Sequence, residues 1–357
     1  MERLRFAVLG CGFWAPYQIA GWMEVGGVEL AALYNRTRSK AEALAERFGV
    51  ARVYDDPEAL FANEKLDFVD IITDVDTHSR FVHLAAKHRI PVICQKPMAP
   101  DLRTAEEMVR VCREAGVPFM VHENWRWQYP IRQLEKAMRE GGVGRPFRGH
   151  ILYANSFPVF ENQPFLKELE QFILTDIGSH ILDTARFLFG DARRLYCQTR
   201  RVNPEIKGED VATVMMEMGD GVTVTCEMSY ASRVEHDRFP ETYVHVECEK
   251  GAVELGPDFW IRVTTKDGTL AKRHAPPHYA WADPAYDVVH SSVVPCNADL
   301  LNSLRTGDPA ETSGEDNLKT MRLVFGAYES AALGKVMGDG EAVSHQPSAF
   351  SRGGDGS

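Results

Sequence analysis

The sequence predicts an α/β fold in two parts: a doubly wound parallel sheet, followed by an α+β domain with an open, mainly antiparallel sheet. Up to residue 122 the apolar runs are continuous, which indicates strands covered on both faces. From about residue 145 apolar and polar residues alternate, which indicates strands with one solvated face. The 357 residues also exceed what one hydrophobic core usually holds. We therefore predict domains at residues 1–124 and 125–342, and a flexible Gly/Ser-rich tail at 343–357.

The first part is predicted to alternate six strands with helical crossovers. Its apolar runs are RFAVLG (5–10), VELAALY (28–34), ARVY (51–54), FVDIIT (68–73), PVICQ (91–95) and PFMVH (118–122). APYQIAGWMEV has helical spacing after the first run, and a helix through SKAEALAERF ends at Gly49, a residue type that often caps helices. Strands and helices in this order are typical of the Rossmann arrangement, which binds nucleotides at the carboxyl ends of its strands.

The second part is predicted to hold six half-buried strands. They are PFRGHILYANSF (146–157), DVATVMMEM (210–218), GVTVTCEMSY (221–230), TYVHVECE (242–249), GAVEL (251–255) and FWIRVTT (259–265). Turn glycines separate several of them, as expected in an antiparallel sheet. A helix around residues 176–189 interrupts the strands, and a last helix is expected at about 315–336.

Composition excludes several classes of function. The net charge of −11 argues against nucleic-acid binding, which needs a basic face, and discourages binding to anionic membranes. No apolar run approaches the roughly 20 residues of a membrane span. The start MERLRFAVLG lacks a signal-peptide core, so we expect a cytoplasmic protein. The seven cysteines are scattered and none are spaced as CxxC, which predicts free thiols and no metal site.

The stretch GCGFWA, which follows the first strand and opens the first helix, fits the nucleotide-binding pattern GxGxxA. Gly10 allows the tight turn, Gly12 lets a pyrophosphate approach the backbone, and Ala15 lets helix and strand pack closely. The helix N-terminus then attracts the phosphates. We count Gly10, Gly12, Phe13 and Trp14 as candidate cofactor-binding residues; an ordinary tight turn is the alternative that this context disfavours.

The residues after the second strand bear on which dinucleotide binds. An acidic residue usually bonds the adenosine ribose there, about 20 residues after the glycines, but this chain has Asn35 followed by Arg36. Asn35 can bond ribose hydroxyls without repelling a 2′-phosphate. Arg36 can bind that phosphate, stack on adenine, or belong to a polar loop. The residues therefore leave NAD and NADP both open.

Two further stretches place charged groups beside the predicted cofactor site. In VICQKPMA, Gln95 and Lys96 lie at the carboxyl end of a predicted buried strand, where ligands bind in such sheets. In TDIGSHILD, Asp176, His180 and Asp183 follow helical spacing and form one stripe. A nearby carboxylate favours the imidazolium, so we expect His180 to accept a proton readily. A surface lysine and a solvated helix face are the alternatives.

HENWRWQ (122–128) follows the last strand of the first domain, where the chain crosses to the second. Donor and aromatic groups at a domain junction suit a small polar ligand. Asn124 is therefore a candidate for the cofactor, and Trp125 and Arg126 are candidates for the substrate. Hinge packing is an equally good explanation for the tryptophans.

These motifs, in this order, resemble the glucose–fructose oxidoreductase, inositol dehydrogenase and rhizopine catabolism family, called Gfo/Idh/MocA. The resemblance extends to about residue 336. GCGFWA, QKP and DIGSHILD stand where the family has GxGxxA, EKP and DxGxHxxD, with Gln95 in place of the customary glutamate. The resemblance implies that Lys96 is the catalytic lysine and that Asp176 and His180 are the catalytic acid/base pair. It also implies that Pro97 follows a cis peptide bond.

TDVDTH (73–78) looks like the family's cofactor loop, although Asp74 and Val75 replace its usual proline-rich start. The resemblance thereby adds Thr73, Asp74 and His78 to the cofactor candidates, beside Gln95 and Lys96. The full set of substrate candidates is Lys96, Trp125, Arg126, Tyr153, Asn155, Asp176, His180 and His290.

The resemblance implies an NAD(P)-dependent dehydrogenase that oxidises a sugar or polyol hydroxyl. RTRSKAEA, HENWRWQ and HSSVVPCNADLL further resemble a bacterial subgroup of sugar dehydrogenases, which implies an aldose such as D-apiose, oxidised at C1 to its lactone, with NAD slightly favoured. A homodimer or homotetramer formed through the C-terminal sheet is also implied. The alternatives are an NAD-dependent glycosidase of the same fold, or a non-catalytic sensor of nucleotide or sugar.

Overall fold

The structure, a computed structural model, describes residues 3–338 and leaves out the side chain of residue 162. The predicted tail at 343–357 therefore lies outside the described residues. The first sheet has six parallel strands in the order β3-β2-β1-β4-β5-β6. They are β1 (Leu4–Leu9), β2 (Val28–Tyr34), β3 (Val53–Tyr54), β4 (Phe68–Ile71), β5 (Val92–Gln95) and β6 (Phe119–His122). This confirms the predicted doubly wound sheet and all six of its strands.

Five helices cover the two faces of this sheet. They are α1 (Ala15–Val25), α2 (Arg38–Phe48), α3 (Pro57–Asn63), α4 (Val75–Lys87) and α5 (Leu102–Ala115). Gly49 ends α2 in a left-handed conformation with φ of 69°, as its sequence position predicts. Apolar clusters lie on both sides of the sheet, which is why the strand sequences are continuously apolar.

The second sheet has nine strands in the order β14-β13-β12-β11-β7-β10-β9-β8-β15. They are β7 (Pro146–Ala154), β8 (Ala192–Arg200), β9 (Val211–Met218), β10 (Thr223–Ser229), β11 (Tyr243–Cys248), β12 (Gly251–Gly256), β13 (Trp260–Thr265), β14 (Gly268–Arg273) and β15 (Met337–Gly338). Every neighbouring pair is antiparallel except β7 with β10, which confirms a mainly antiparallel sheet. The sequence analysis missed β8, β14 and β15.

Six more helices complete the described chain. They are α6 (Tyr129–Glu140), α7 (Val159–Asn162), α8 (Ser179–Phe189), α9 (Asp287–His290), α10 (Val293–Thr306) and α11 (Gly314–Leu333). Helix α8 packs on the inner face of the second sheet, as predicted for 176–189. Helix α11 ends earlier than the predicted 336, because Gly334 adopts φ of 63° and terminates it. None of the helices within residues 3–338 is long and apolar enough to cross a membrane.

The C-terminal third returns to the first sheet. Helix α10 packs on α1, and α11 packs on α5. Beside the outer edge of β6, the Val121 amide donates to the Thr312 carbonyl at 2.8 Å, and the Thr312 hydroxyl donates to the Val121 carbonyl at 2.7 Å. Residues 312 and 313 thus extend the sheet by a short antiparallel bridge. The division into domains at residues 124 and 125 stays a prediction.

Candidate active site

Lys96 lies where the chain leaves β5, at the carboxyl edge of the first sheet. Its backbone amide donates to Gln95 Oε1 at 2.8 Å, and the Lys96–Pro97 peptide bond is cis. The ammonium donates to the Asp176 carboxylate and to the Asp176 carbonyl oxygen, each at 3.2 Å. Both side chains keep about a fifth of their surface exposed, at 20% and 17%, so this ion pair faces an open site.

Asp176 belongs to a π-helical turn, Leu174–Gly178, that leads into α8. Such turns change the angular spacing of neighbouring side chains and occur often at functional sites. Asp176, His180 and Asp183 all face the segments that follow β5 and β6, and each forms an ion pair there. The partners come from the ends of β5 and β6, and they are Lys96, Glu123 and Arg126 respectively. His180 and Asp183 are therefore buried and Asp176 is mostly covered, so the predicted stripe is not a solvated face.

His180 is held on two sides. Its Nδ1 lies 2.5 Å from Glu123 Oε1, and the Trp125 ring stacks on the imidazole at 4.3 Å between centroids with 23° between planes. Burial and the nearby Lys96 ammonium lower the pKa of His180 well below its ordinary value, although Asp176 and Asp183 oppose that shift. The expectation of an easily formed imidazolium was wrong, because loss of hydration outweighs the two carboxylates.

Glu123 is the functional neighbour that sequence reasoning missed. It follows β6 directly and is fully buried, and its Oε1 also accepts the backbone amide of Trp125 at 3.1 Å. Burial raises the pKa of Glu123 to about 7, while the Trp125 amide, Lys96 and Arg126 pull it down. A charged residue directly after a buried strand was the signal available, in the same HENWRWQ stretch that supplied its neighbours.

The structure corrects the assignment of Arg126 to the substrate. Its Nε and Nη2 donate to the two Asp183 oxygens at 2.7 and 2.6 Å, and Nη2 also donates to Asp316 at 2.9 Å. Nη1 donates to the Glu311 carbonyl at 3.1 Å. Each guanidinium nitrogen is therefore used in a buried network that joins the segment after β6 to α8 and α11. Arg126 holds the site helix in place and is not directed at a ligand.

The loop before α1 leaves space where a nucleotide would approach. Gly10 has φ of 106°, and a Cβ there would lie 2.4 Å from the Ile72 carbonyl oxygen, so only glycine fits this turn. At Gly12, no described heavy atom lies within 4 Å of where a Cβ would stand. Helix α1 begins just beyond with Pro16 in its first turn, and Phe13 is 68% exposed at the rim. Glycine at both positions and a helix N-terminus suit a pyrophosphate.

Several other candidates for the cofactor turn out to support its loops. Asn35 Oδ1 accepts the Cys11 amide at 3.0 Å, which ties the loop before α1 to the end of β2. His78 is buried between the Thr73 and Met98 carbonyl oxygens, at 3.0 and 3.2 Å. Asn124 donates to Ser292 at 2.8 Å within the domain junction. The side chains of His78 and Asn124 therefore join protein segments, and their assignment to the cofactor stays a prediction.

On the substrate side, a tyrosine that the sequence analysis did not single out joins the site. The Tyr230 hydroxyl donates to Asp176 Oδ2 at 3.2 Å, and Tyr153 meets the Tyr230 ring edge-on at 5.7 Å. Asn155 Oδ1 accepts the amide two residues on, which shapes the turn after β7. His290 stacks on Tyr17 at 4.1 Å and its Nδ1 accepts the Asp283 amide. His290 therefore packs against α1.

Comparison with known proteins identifies the family. Residues 4–123 match the model of the oxidoreductase family with an NAD-binding Rossmann fold, and residues 131–254 match the Gfo/Idh/MocA C-terminal domain. The chain belongs to the Gfo/Idh/MocA oxidoreductase family. It is 42% identical to a D-apiose dehydrogenase of Paraburkholderia graminis over 94% of this chain and 90% of that protein. It is 41% identical to one of Rhizobium rhizogenes over 94% and 98%.

A solved structure agrees with this placement. An oxidoreductase from Agrobacterium radiobacter, in complex with NAD+, L-tartaric acid and magnesium, superposes with a TM-score of 0.92 at 41% identity, covering 94% of this chain and 98% of that one. This member of the Gfo/Idh/MocA family is therefore an NAD(P)-dependent oxidoreductase. The open space at Gly12 and the free start of α1 fit the dinucleotide that the family binds.

Proposed function

We propose that this protein oxidises D-apiose, or an aldose very like it, at C1 to the lactone, with NAD as the preferred acceptor. The observation that carries the proposal is the meeting of Lys96, Asp176 and His180 beside the loop that suits a dinucleotide. The two D-apiose dehydrogenases that are 41–42% identical support the choice of sugar. An aldose oxidised at its anomeric carbon gives up two hydrogens and becomes a lactone.

In the proposed reaction, the substrate hydroxyl lies between Lys96 and His180. His180 removes the hydroxyl proton through its free ring nitrogen as the C1 hydride leaves. Lys96 stabilises the negative charge that develops on the oxygen. Asp176 holds the Lys96 ammonium at 3.2 Å and accepts the Tyr230 hydroxyl, so it sets the position of both donors. NAD, when bound, accepts the hydride.

The preference for NAD rests on the relative of known structure that binds NAD+, and the surroundings of Asn35 are compatible with it. Asn35 Nδ2 donates to the Thr37 carbonyl at 2.9 Å and its Oδ1 accepts the Cys11 amide, so the side chain is held in its own loop. The relative of known structure that binds NAD+ adds support for NAD over NADP. Arg36 is exposed directly after Asn35, where it could stack on adenine without a phosphate.

We also propose that the protein assembles as a homodimer or homotetramer through the outer face of its second sheet. That face carries opposite charges in close rows, with Arg148 paired to Glu247 and Arg194 paired to Glu217. A second copy can meet such a face with complementary charges. Sedimentation equilibrium tests this: a mass near 40 kDa per particle would exclude assembly.

The function is tested by nicotinamide reduction on a panel of aldoses and polyols that includes D-apiose, with NAD+ and NADP+ in parallel. We expect reduction of NAD+ with D-apiose and a lactone product seen by NMR. Lys96→Met is the matched control, since it removes only the ammonium and excludes contaminating activity. Absence of reduction across the panel, with NADH still bound, contradicts the proposal. Release of sugar from a glycoside in that case would favour a glycosidase.

A further inference from the structure

We propose that Glu123 is a positioning residue that fixes the proton of His180 on Nδ1, so that Nε2 stays free to act as the base; this inference rests on the proposed function. Nδ1 of His180 and Oε1 of Glu123 are 2.5 Å apart. Nδ1 of the imidazole ring is thus taken up by the Glu123 carboxylate, and Nε2 remains for the substrate hydroxyl. The two residues form an acid–histidine dyad across 57 positions of the chain.

The geometry around Glu123 favours a carboxylate that only accepts hydrogen bonds. Oε1 accepts both from His180 and from the Trp125 amide, which lies 3.1 Å away. Oε2 is buried and has no hydrogen-bond partner within residues 3–338. An oxygen that already accepts one amide donor is a poor donor itself, so the shared proton belongs on the histidine. The Trp125 ring stacked on the imidazole prevents it from turning and exchanging its two nitrogens.

Charged groups of both signs face the Glu123–His180 pair. Lys96 and Arg126 are the cations that face it, and Asp176 and Asp183 are the anions. The nearby neutral groups are His122, whose pKa burial lowers to about 4, and Cys296, whose pKa burial raises well above its ordinary value. Glu123, which contacts His180 directly, has its pKa raised by burial to about 7.

In the catalytic step, the proton balance is simple. The substrate hydroxyl gives its proton to Nε2 of His180, and C1 gives its hydrogen with the bonding electron pair to NAD+. The imidazolium that results keeps its Nδ1 proton hydrogen-bonded to the Glu123 carboxylate, which stabilises the new positive charge. The Nε2 proton then passes to water. No other oxidant or reductant is needed.

The first measurement needs no substrate. Long-range proton–nitrogen NMR of histidine-labelled protein at pH 8, with the His180 signals assigned by His180→Gln, reports which ring nitrogen carries the proton. We expect the Nδ1–H form in the wild type, and conversion toward Nε2–H in Glu123→Ala. A wild-type His180 protonated on Nε2 at pH 8 would overturn the dyad, whichever substrate the enzyme uses.

The second measurement is the pH profile of kcat. Glu123→Gln keeps the size and the accepting oxygen but removes the charge, so we expect kcat to fall about 10²-fold, the lower end for a positioned base. The rise of kcat through about pH 7 should disappear in this variant and return in Glu123→Asp. The NADH dissociation constant should not change. Glu64→Gln is the matched control, because Glu64 is also a buried carboxylate but pairs with Arg52 and not with a histidine.

The outcomes separate the two proposals. Wild-type turnover with an aldose, together with an unchanged kcat and pH profile in Glu123→Gln, would overturn the role of Glu123 and leave the function standing. A wild type that reduces no cofactor with any sugar contradicts the function, and the NMR measurement then decides on the dyad alone.

Discussion

The buried ion pair of Arg126 with Asp183 gives the sharpest test of what holds the active-site helix. Arg126→Met removes two charge-assisted bonds, of 2.7 and 2.6 Å, from a carboxylate whose side chain is fully buried. Among residues 3–338, Asp183 then keeps only the Thr320 hydroxyl at 3.0 Å and a distant Arg186 at 3.9 Å. Breaking a buried pair by removing one partner costs about 3–5 kcal/mol, because the remaining charge stays unpaired in the interior.

Urea unfolding followed by tryptophan fluorescence measures this loss. Arg145→Met is the control, since Arg145 also forms a two-nitrogen bond to one carboxylate, that of Glu249, but is exposed. We expect no measurable change in that variant, because water already screens the pair. Adding Asp183→Asn to Arg126→Met should recover at least half of the lost free energy of unfolding, since the orphaned charge is removed with it.

The pH dependence of the loss gives a second check. Without Arg126, burial leaves the pKa of Asp183 in the folded state further above its value in the unfolded chain. A raised folded-state pKa makes stability greatest below the unfolded value and lower as pH rises through the folded one. The penalty of Arg126→Met should therefore be smaller at pH 5 than at pH 7.5. A penalty below about 1 kcal/mol at pH 7.5, or equal to that of Arg145→Met, would refute the reasoning.

Four further substitutions test the site. Gly12→Ala should leave the melting temperature unchanged and raise the NADH dissociation constant at least tenfold. Gly10→Ala should instead lower the melting temperature, because its Cβ would lie 2.4 Å from a carbonyl oxygen. A Gly10→Ala protein with an unchanged melting temperature would contradict this. Asn35→Asp should weaken NADP+ binding by about tenfold or more relative to NAD+ binding, since a carboxylate repels the 2′-phosphate. An equal loss of affinity for both cofactors in a binding titration would contradict this. Tyr230→Phe should lower kcat/KM for the aldose about 10–100-fold, because it removes a hydrogen bond to the charged Asp176. The NADH dissociation constant is the control and should not change. An unchanged kcat/KM would show that Tyr230 has no role in the site.

The sequence was sufficient for the parts of the fold that local patterns specify. Continuous apolar runs located the six parallel strands, and GCGFWA located the turn in which Gly10 has positive φ. Strand β8 was missed because only Leu195 and Cys197 of its nine residues are buried. Two buried positions are too few to show as alternating apolar and polar residues in the sequence. Strand β14 is exposed at every position, so no alternation marks it.

The site was predicted less completely, because its chemistry depends on contacts between distant segments. The spacing of Asp176, His180 and Asp183 placed them on one face, but spacing alone does not reveal which partner each one meets. Arg126 was assigned to the ligand as a donor at the domain junction, because sequence does not reveal its two carboxylate partners, 57 and 190 positions away. The charge of His180 was misjudged for the same reason, since burial is a property of the assembled fold.

The pairing of Val121 with Thr312 has a consequence for the protein's synthesis. The ribosome completes β6 at residue 122, but the segment that covers its edge emerges about 190 residues later, roughly 10–40 s at ordinary translation rates. During that interval the nascent sheet presents an unpaired strand to other chains, the kind of edge from which aggregation starts. Slow translation before residue 312 would lengthen this exposure. Chaperones that bind extended apolar strands would therefore bind the nascent chain most readily during this interval.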